Sequence, residues 1–205
     1  MMAQIREAQE YPPFDFNTSE IEKHEGCTDS VVYPGGYSGP TISCGLDLGN
    51  IGSYNASKVL RGVVSDSIYD ILMDGTSVRG EASKYWIKKH QVHIGRHDAI
   101  LICNRVKMLF WNALNSRYPN IVNAPGVVKS AMLDIAFQAG VGSKRMDGLG
   151  YPISVGDWNS VGVIIENSYN DFQDGDYNAI YLRKVSHGKR IQYMVHPPNH
   201  LIDPD

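Results

Sequence analysis

The stretch GVVKSAMLDIAFQA, residues 126–139, limits what this chain can fold into more than any other. It is apolar on most faces, follows Pro125 and is stopped by Gly140. At 3.6 residues per turn it leaves no broad polar stripe for water, so it reads as a central helix buried by other elements. The chain supplies a shell for it. Helical periodicity is expected over 56–73, 80–90, 98–115, 157–168 and 178–194, with Asp98 as the N-cap of the third of these and Pro119 soon after its end.

The N-terminal part follows another pattern. Residues 24–49 read HEGCTDSVVYPGGYSGPTISCGLDLG, with eight glycines and prolines punctuating short runs of β-formers. This predicts a two- or three-stranded antiparallel unit over 27–49. Just before it, Ser19 and Glu22 fit a capping box and Gly26 a stop, which predicts a short helix over 20–25 ending on Glu25. The fold class expected is α+β: an arm over 1–18, then one domain over 19–205 with a small β-unit (27–49) and a helical lobe (55–195).

Bulk properties narrow the function. A chain of 205 residues buries about 70% of its unfolded surface. Its net charge of −3 gives no overall basic footprint for nucleic acid or an anionic membrane. No window of about eighteen apolar residues is present, so no membrane insertion is expected. MMAQIREAQE lacks the apolar core of a secretory signal, and the chain reads as one made in the cytoplasm. Cys27, Cys44 and Cys103 have no CxxC spacing; free thiols are the default, with a Cys27–Cys44 bridge across the hairpin as the alternative.

Among the carboxylates, Glu20 and Glu22 suit a first helical turn. Glu25 is placed differently. At a helix C-terminus the dipole disfavours the ionised form, and a carboxyl kept neutral is what a general acid needs. Asp47, in GLDLG, reads on its own as a turn aspartate bonding its own backbone, and Thr41, in GPTIS, as a strand threonine. Two carboxylates flanking a hairpin are also the minimum set for glycoside hydrolysis, one protonating the leaving oxygen and the other serving water or attacking the sugar. On that reading the glycines let the hairpin turn tightly and leave its backbone close to a sugar chain.

HEG followed by SGPTISCGLDLG resembles the motif of pesticin-type lysozymes, a helix-ending Glu before an "SGxTIGxGxDLG"-like hairpin, with the phage-type lysozymes as wider relatives. LDIAFQAG (133–140), GDWNSV (156–161) and YLRKVSHGKRI (181–191) are similar to later family segments in the same order. The resemblance implies a muramidase cutting the β-1,4 bond between N-acetylmuramic acid and N-acetylglucosamine in peptidoglycan, inverting at the anomeric carbon and needing no cofactor or metal. It implies Glu25 as general acid, Asp47 holding or activating water and Thr41 positioning that water. Gln138, Arg183, Tyr33 and Ser38 are second-rank substrate contacts, Gln138 and Arg183 serving also to orient Glu25. The 27–49 unit and the lobe led by 126–139 would be the walls of the cleft. Partners implied are peptidoglycan strands and, for an injected bacteriolytic effector, a cognate immunity protein. Release through a holin as an endolysin is the other route to the periplasm. Two positions depart from the pattern: Ser43 replaces the second Gly of "TIGxG", a mild change for a strand residue, and His187 and Gly188 follow Arg183 and Lys184 where relatives carry "RRxxE".

Other readings compete. A non-catalytic glycan- or partner-binding module with the same fold is one. A metal amidase built on His90, His93 and His97, at i, i+3, i+7, is another, although Gly95 interrupts that helix and HExxH is absent. Trp86, Trp111 and Trp158 read as packing before sugar stacking.

Overall fold

The computed structural model describes residues 14–19, 21, 25–167 and 178–195, with residues 145 and 178–185 described by their backbone alone. The fold is α+β: a small three-stranded antiparallel sheet near the N-terminus, then a mainly helical region of nine helices among the described residues. The described residues divide into two compact units, one within 19–109 and the other formed by 14–18 with those of 110–195. The expected arm's first thirteen residues and the tail 196–205 lie outside the described residues.

In the first unit β1 (Thr28–Val32), β2 (Thr41–Ser43) and β3 (Leu46–Asp47) pair in chain order. Residues 92–94 run antiparallel along β1, Val31 N–H donating to Val92 O at 3.3 Å and Ile94 N–H to Asp29 O at 2.8 Å. Four helices follow the sheet before the long one: α1 (Leu48–Ile51), α2 (Ser53–Leu60), α3 (Asp66–Asp74) and α4 (Ala82–His90). The single helix expected over 56–73 is thus two. Gly62 takes a left-handed φ of +74°, and the Ser65 hydroxyl accepts from Ile68 N–H at 3.4 Å, capping a new helix. Periodic apolar residues continue across the break because both helices bury the same kind of face. Ile42, Leu46, Leu48, Ala56, Val59, Leu60, Leu72 and Ile102 form the core of this unit.

α5 (Arg96–Arg117) begins in the first unit and ends in the second. It starts two residues before the expected N-cap, so Asp98 sits in its first turn, where a carboxylate still complements the dipole. Near its first turns Cys103 forms a disulfide with Cys44, the Cα atoms 5.4 Å apart and Cys27 remaining a thiol. This corrects both cysteine expectations. The pairing is set by where the β2–β3 turn meets α5, a tertiary contact across 59 residues that no local spacing announces.

The second unit is built round α6 (Gly126–Ala139), whose bounds match the expectation and which buries Val128, Ala131, Met132, Leu133, Ile135 and Ala136. Gly140, at φ +78°, ends it. α7 (Gly150–Val155), α8 (Trp158–Asn167) and α9 (Asn178–Val195) complete the set; α7 is short and was not anticipated. α8 and α9 cross through glycine: a Cβ on Gly188 would fall 2.7 Å from Gly162 O and 2.6 Å from Glu166 Cβ. Residues 14–18 belong here too, with Phe16 against Trp111 (centroids 4.8 Å apart) and Asp15 on Lys129 at 2.8 Å. Trp86, in the first unit, is buried and donates to Asp74.

Candidate active site

The β2–β3 hairpin explains the spacing of Thr41 and Asp47. Antiparallel register sets Thr41 opposite Asp47 and Ile42 opposite Leu46. Directly opposed residues project from the same face of a sheet, and Ile42 and Leu46 take the core face. Thr41 and Asp47 therefore share the other one. Ser43, Cys44 and Gly45 close the turn, with Ser43 at φ +60° and Gly45 at φ +91°. The serine at 43 is therefore more than a mild change, because its backbone occupies a region that favours glycine. It is held there by burial and by its Oγ, which donates to Ala99 O at 2.5 Å.

Thr41 and Asp47 converge on one residue, Gly39. The Asp47 carboxylate accepts from Gly39 N–H at 2.9 Å, and the Thr41 hydroxyl donates to Gly39 O at 3.1 Å. Asp47 also caps α1, accepting from Asn50 N–H at 3.2 Å and from the Asn50 side-chain amide at 2.8 Å. The turn-aspartate role is thus real for Asp47. Gly39 in turn lies against Gly49: a Cβ on Gly39 would sit 2.6 Å from Gly49 Cα and 2.7 Å from Val78 O. At these two positions the missing side chain lets backbone meet backbone within the unit. Gly35, Gly36 and Gly45 are turn glycines with positive φ and open space where a Cβ would be.

Glu25 is helical and exposed, and Gly26 follows it at φ +69°. β1 starts three residues after Glu25 at Thr28, whose register partner is Ser43. The segment carrying Glu25 therefore feeds the strand beside the one carrying Thr41. Tyr33 is half-buried, its hydroxyl donating to Gly36 O at 2.8 Å and its ring facing Lys84 Nζ at 5.5 Å. Ser38 works through its main chain, its carbonyl accepting from Gly80 N–H at 2.9 Å and from the Ser83 hydroxyl at 3.3 Å.

Gln138 and Arg183 belong to the second unit. Gln138 donates to Asp134 Oδ2 at 3.4 Å; Arg183 lies on α9, its side chain outside the described part. The buried carboxylate of Asp134 also meets His187 Nε2 at 2.9 Å, both side chains being 5% exposed or less. Sequence reasoning passed over Asp134, though an acid inside the apolar 126–139 helix was a signal that it needed a partner. His187 provides one, so the position that departs from "RRxxE" still serves a polar network.

The three histidines do not share a helical face. α4 ends at His90 because Gln91 takes φ +47°. His93 pairs with Ser30, Nδ1 to Oγ at 2.8 Å, and His97 lies in the first turn of α5. This corrects the geometry on which the metal-amidase alternative rested.

The chain matches no known family model and has no significant match among curated proteins.

Proposed function

We propose that this chain is a peptidoglycan-degrading muramidase of lysozyme-like fold, resembling the pesticin-type enzymes. The observation that carries the reading is the pairing of Thr41 with Asp47 on one face of a hairpin whose neighbouring strand is led in by Glu25. Glu25, exposed at its helix end, is the general acid that protonates the leaving oxygen. A carboxylate offers about four acceptor positions, and the three donors on Asp47 leave one for the attacking water, which Thr41 helps to position. Inversion follows from water attacking opposite the leaving group. The Cys44–Cys103 bond suits an oxidising cell envelope, where the substrate lies. The protein reaches it as an injected effector, countered by an immunity protein, or as an endolysin.

A second reading has its own support. Thr41 and Asp47 are both engaged with Gly39, which favours a non-catalytic binding module in which they are struts. Digestion of purified peptidoglycan by wild type and Glu25→Gln, with products identified by mass spectrometry, decides between them. Muropeptides with muramic reducing ends, lost in the variant, are the expected result. Uncut glycan with protein bound would establish the module instead.

A further inference from the structure

All three cysteines meet at one place. Cys44 (fully buried) and Cys103 (2% exposed) form the disulfide, and the half-buried Cys27 thiol lies 4.0 Å from the hydroxyl of Ser43, the residue before Cys44. Thr28, the first residue of β1, pairs with Ser43, the last of β2, so Cys27 stands at the end of β1 nearest the turn that holds Cys44. Ser43 Oγ meets Ala99 O one helical turn before Cys103, so consecutive turn residues are received by consecutive turns of α5. Cys44 thus has a bonded partner on α5, and a free thiol lies against its chain neighbour Ser43 on the strand side. A thiolate next to a disulfide attacks one of its sulfurs.

We propose that Cys27 and the Cys44–Cys103 bond form an intramolecular thiol–disulfide switch. The Cys27 thiolate attacks Cys44 Sγ; the Cys27–Cys44 bond forms as the Cys44–Cys103 bond breaks. The bonding electron pair leaves on Cys103 Sγ, which takes up the proton that Cys27 released. One disulfide and one thiol remain, so no oxidant is consumed. The exchange moves the hairpin's covalent tie from α5 to the segment two residues after Glu25, with Gly26 (φ +69°) as the pivot between them. This consequence rests on the muramidase reading: the Cys44–Cys103 form is active, and the exchanged form, with Glu25 drawn aside and the Thr41–Asp47 hairpin released from α5, is not. Displacing a reacting group by about 1 Å lowers rates about hundredfold, and a loss of that order is expected.

The test uses the full chain in mildly alkaline buffer with substoichiometric glutathione, followed by acid quenching, alkylation and disulfide mapping by mass spectrometry. In wild type a Cys27–Cys44 peptide is expected beside Cys44–Cys103. Cys103→Ser treated with oxidised glutathione is expected to bridge Cys27 to Cys44 and to lose glycan cleavage, whereas Cys27→Ser keeps the single Cys44–Cys103 bond and its activity. Wild type yielding only Cys44–Cys103 overturns the switch, and does so even if Cys103→Ser fails to fold. Equal cleavage by both bridged forms overturns it as well. Exchange seen by mapping with no cleavage in any form upholds the exchange and removes the muramidase reading instead.

Discussion

Gly39 and Asp47 are joined by a 2.9 Å hydrogen bond from the glycine N–H to the carboxylate, across eight residues. The same carboxylate caps α1. Asp47→Ala deletes both interactions and should destabilise the protein by about 2–3 kcal/mol, a cap plus a tether. Asp47→Asn keeps one acceptor oxygen and should cost about half as much. Urea unfolding of the two variants checks the ordering, and glycan cleavage lost in the better-folded Asn variant would separate a chemical role from the structural one.

Gly39 and Gly49 meet backbone to backbone, and neither has room for a methyl group. Gly39→Ala should force the two segments apart at a cost of about 3 kcal/mol, the upper range for overpacking. Gly45→Ala, where open space surrounds the Cβ position, pays only for its left-handed backbone, about 1 kcal/mol. Thermal unfolding should rank the two in that order.

Asp134 and His187 are buried together, so each removes the isolation penalty of the other. His187→Ala or Asp134→Ala alone should cost about 1–3 kcal/mol, because a buried polar group loses one of its hydrogen-bond partners. The double variant is expected to cost clearly less than the sum of the two. A double-mutant cycle by chemical denaturation measures that coupling.

Asp157 accepts from the hydroxyl and N–H of Ser160 at the start of α8, and these bonds hold its carboxyl below its ordinary value of 3.8. With the folded pKa depressed, the cap's contribution is complete above 3.8, the value in the unfolded chain, and is lost as pH falls through the lower folded value. Ser160→Ala should return the titration towards 3.8, read from the Asp157 side-chain carbon shift by NMR.

How far the sequence carried this fold depends on what holds each element. α6 was legible to the residue because Pro125 and Gly140 bracket it and its own apolar faces bury it. The break between α2 and α3 was hidden because apolar periodicity continues across Gly62, while Ser65 caps locally. The Thr41–Asp47 spacing was readable as a hairpin, and coordinates were needed to find both side chains on Gly39. Partners far apart in sequence left the weakest local signs. Cys44 meets Cys103 because a turn packs on a helix, and Asp134 meets His187 because two helices do.

The extended segment 92–94 that lies along β1 bears on how this protein behaves in crowded solution. The outward N–H and C=O groups of a border strand are a template on which another molecule's chain can pair. Here Val31 N–H and Asp29 O are already taken by Val92 and Ile94. On the opposite border β3 is two residues long and runs directly into α1. A neighbouring copy arriving with an extended segment finds one border occupied and the other too short to seat it, so the sheet is protected from growing, strand by strand, into a polymer.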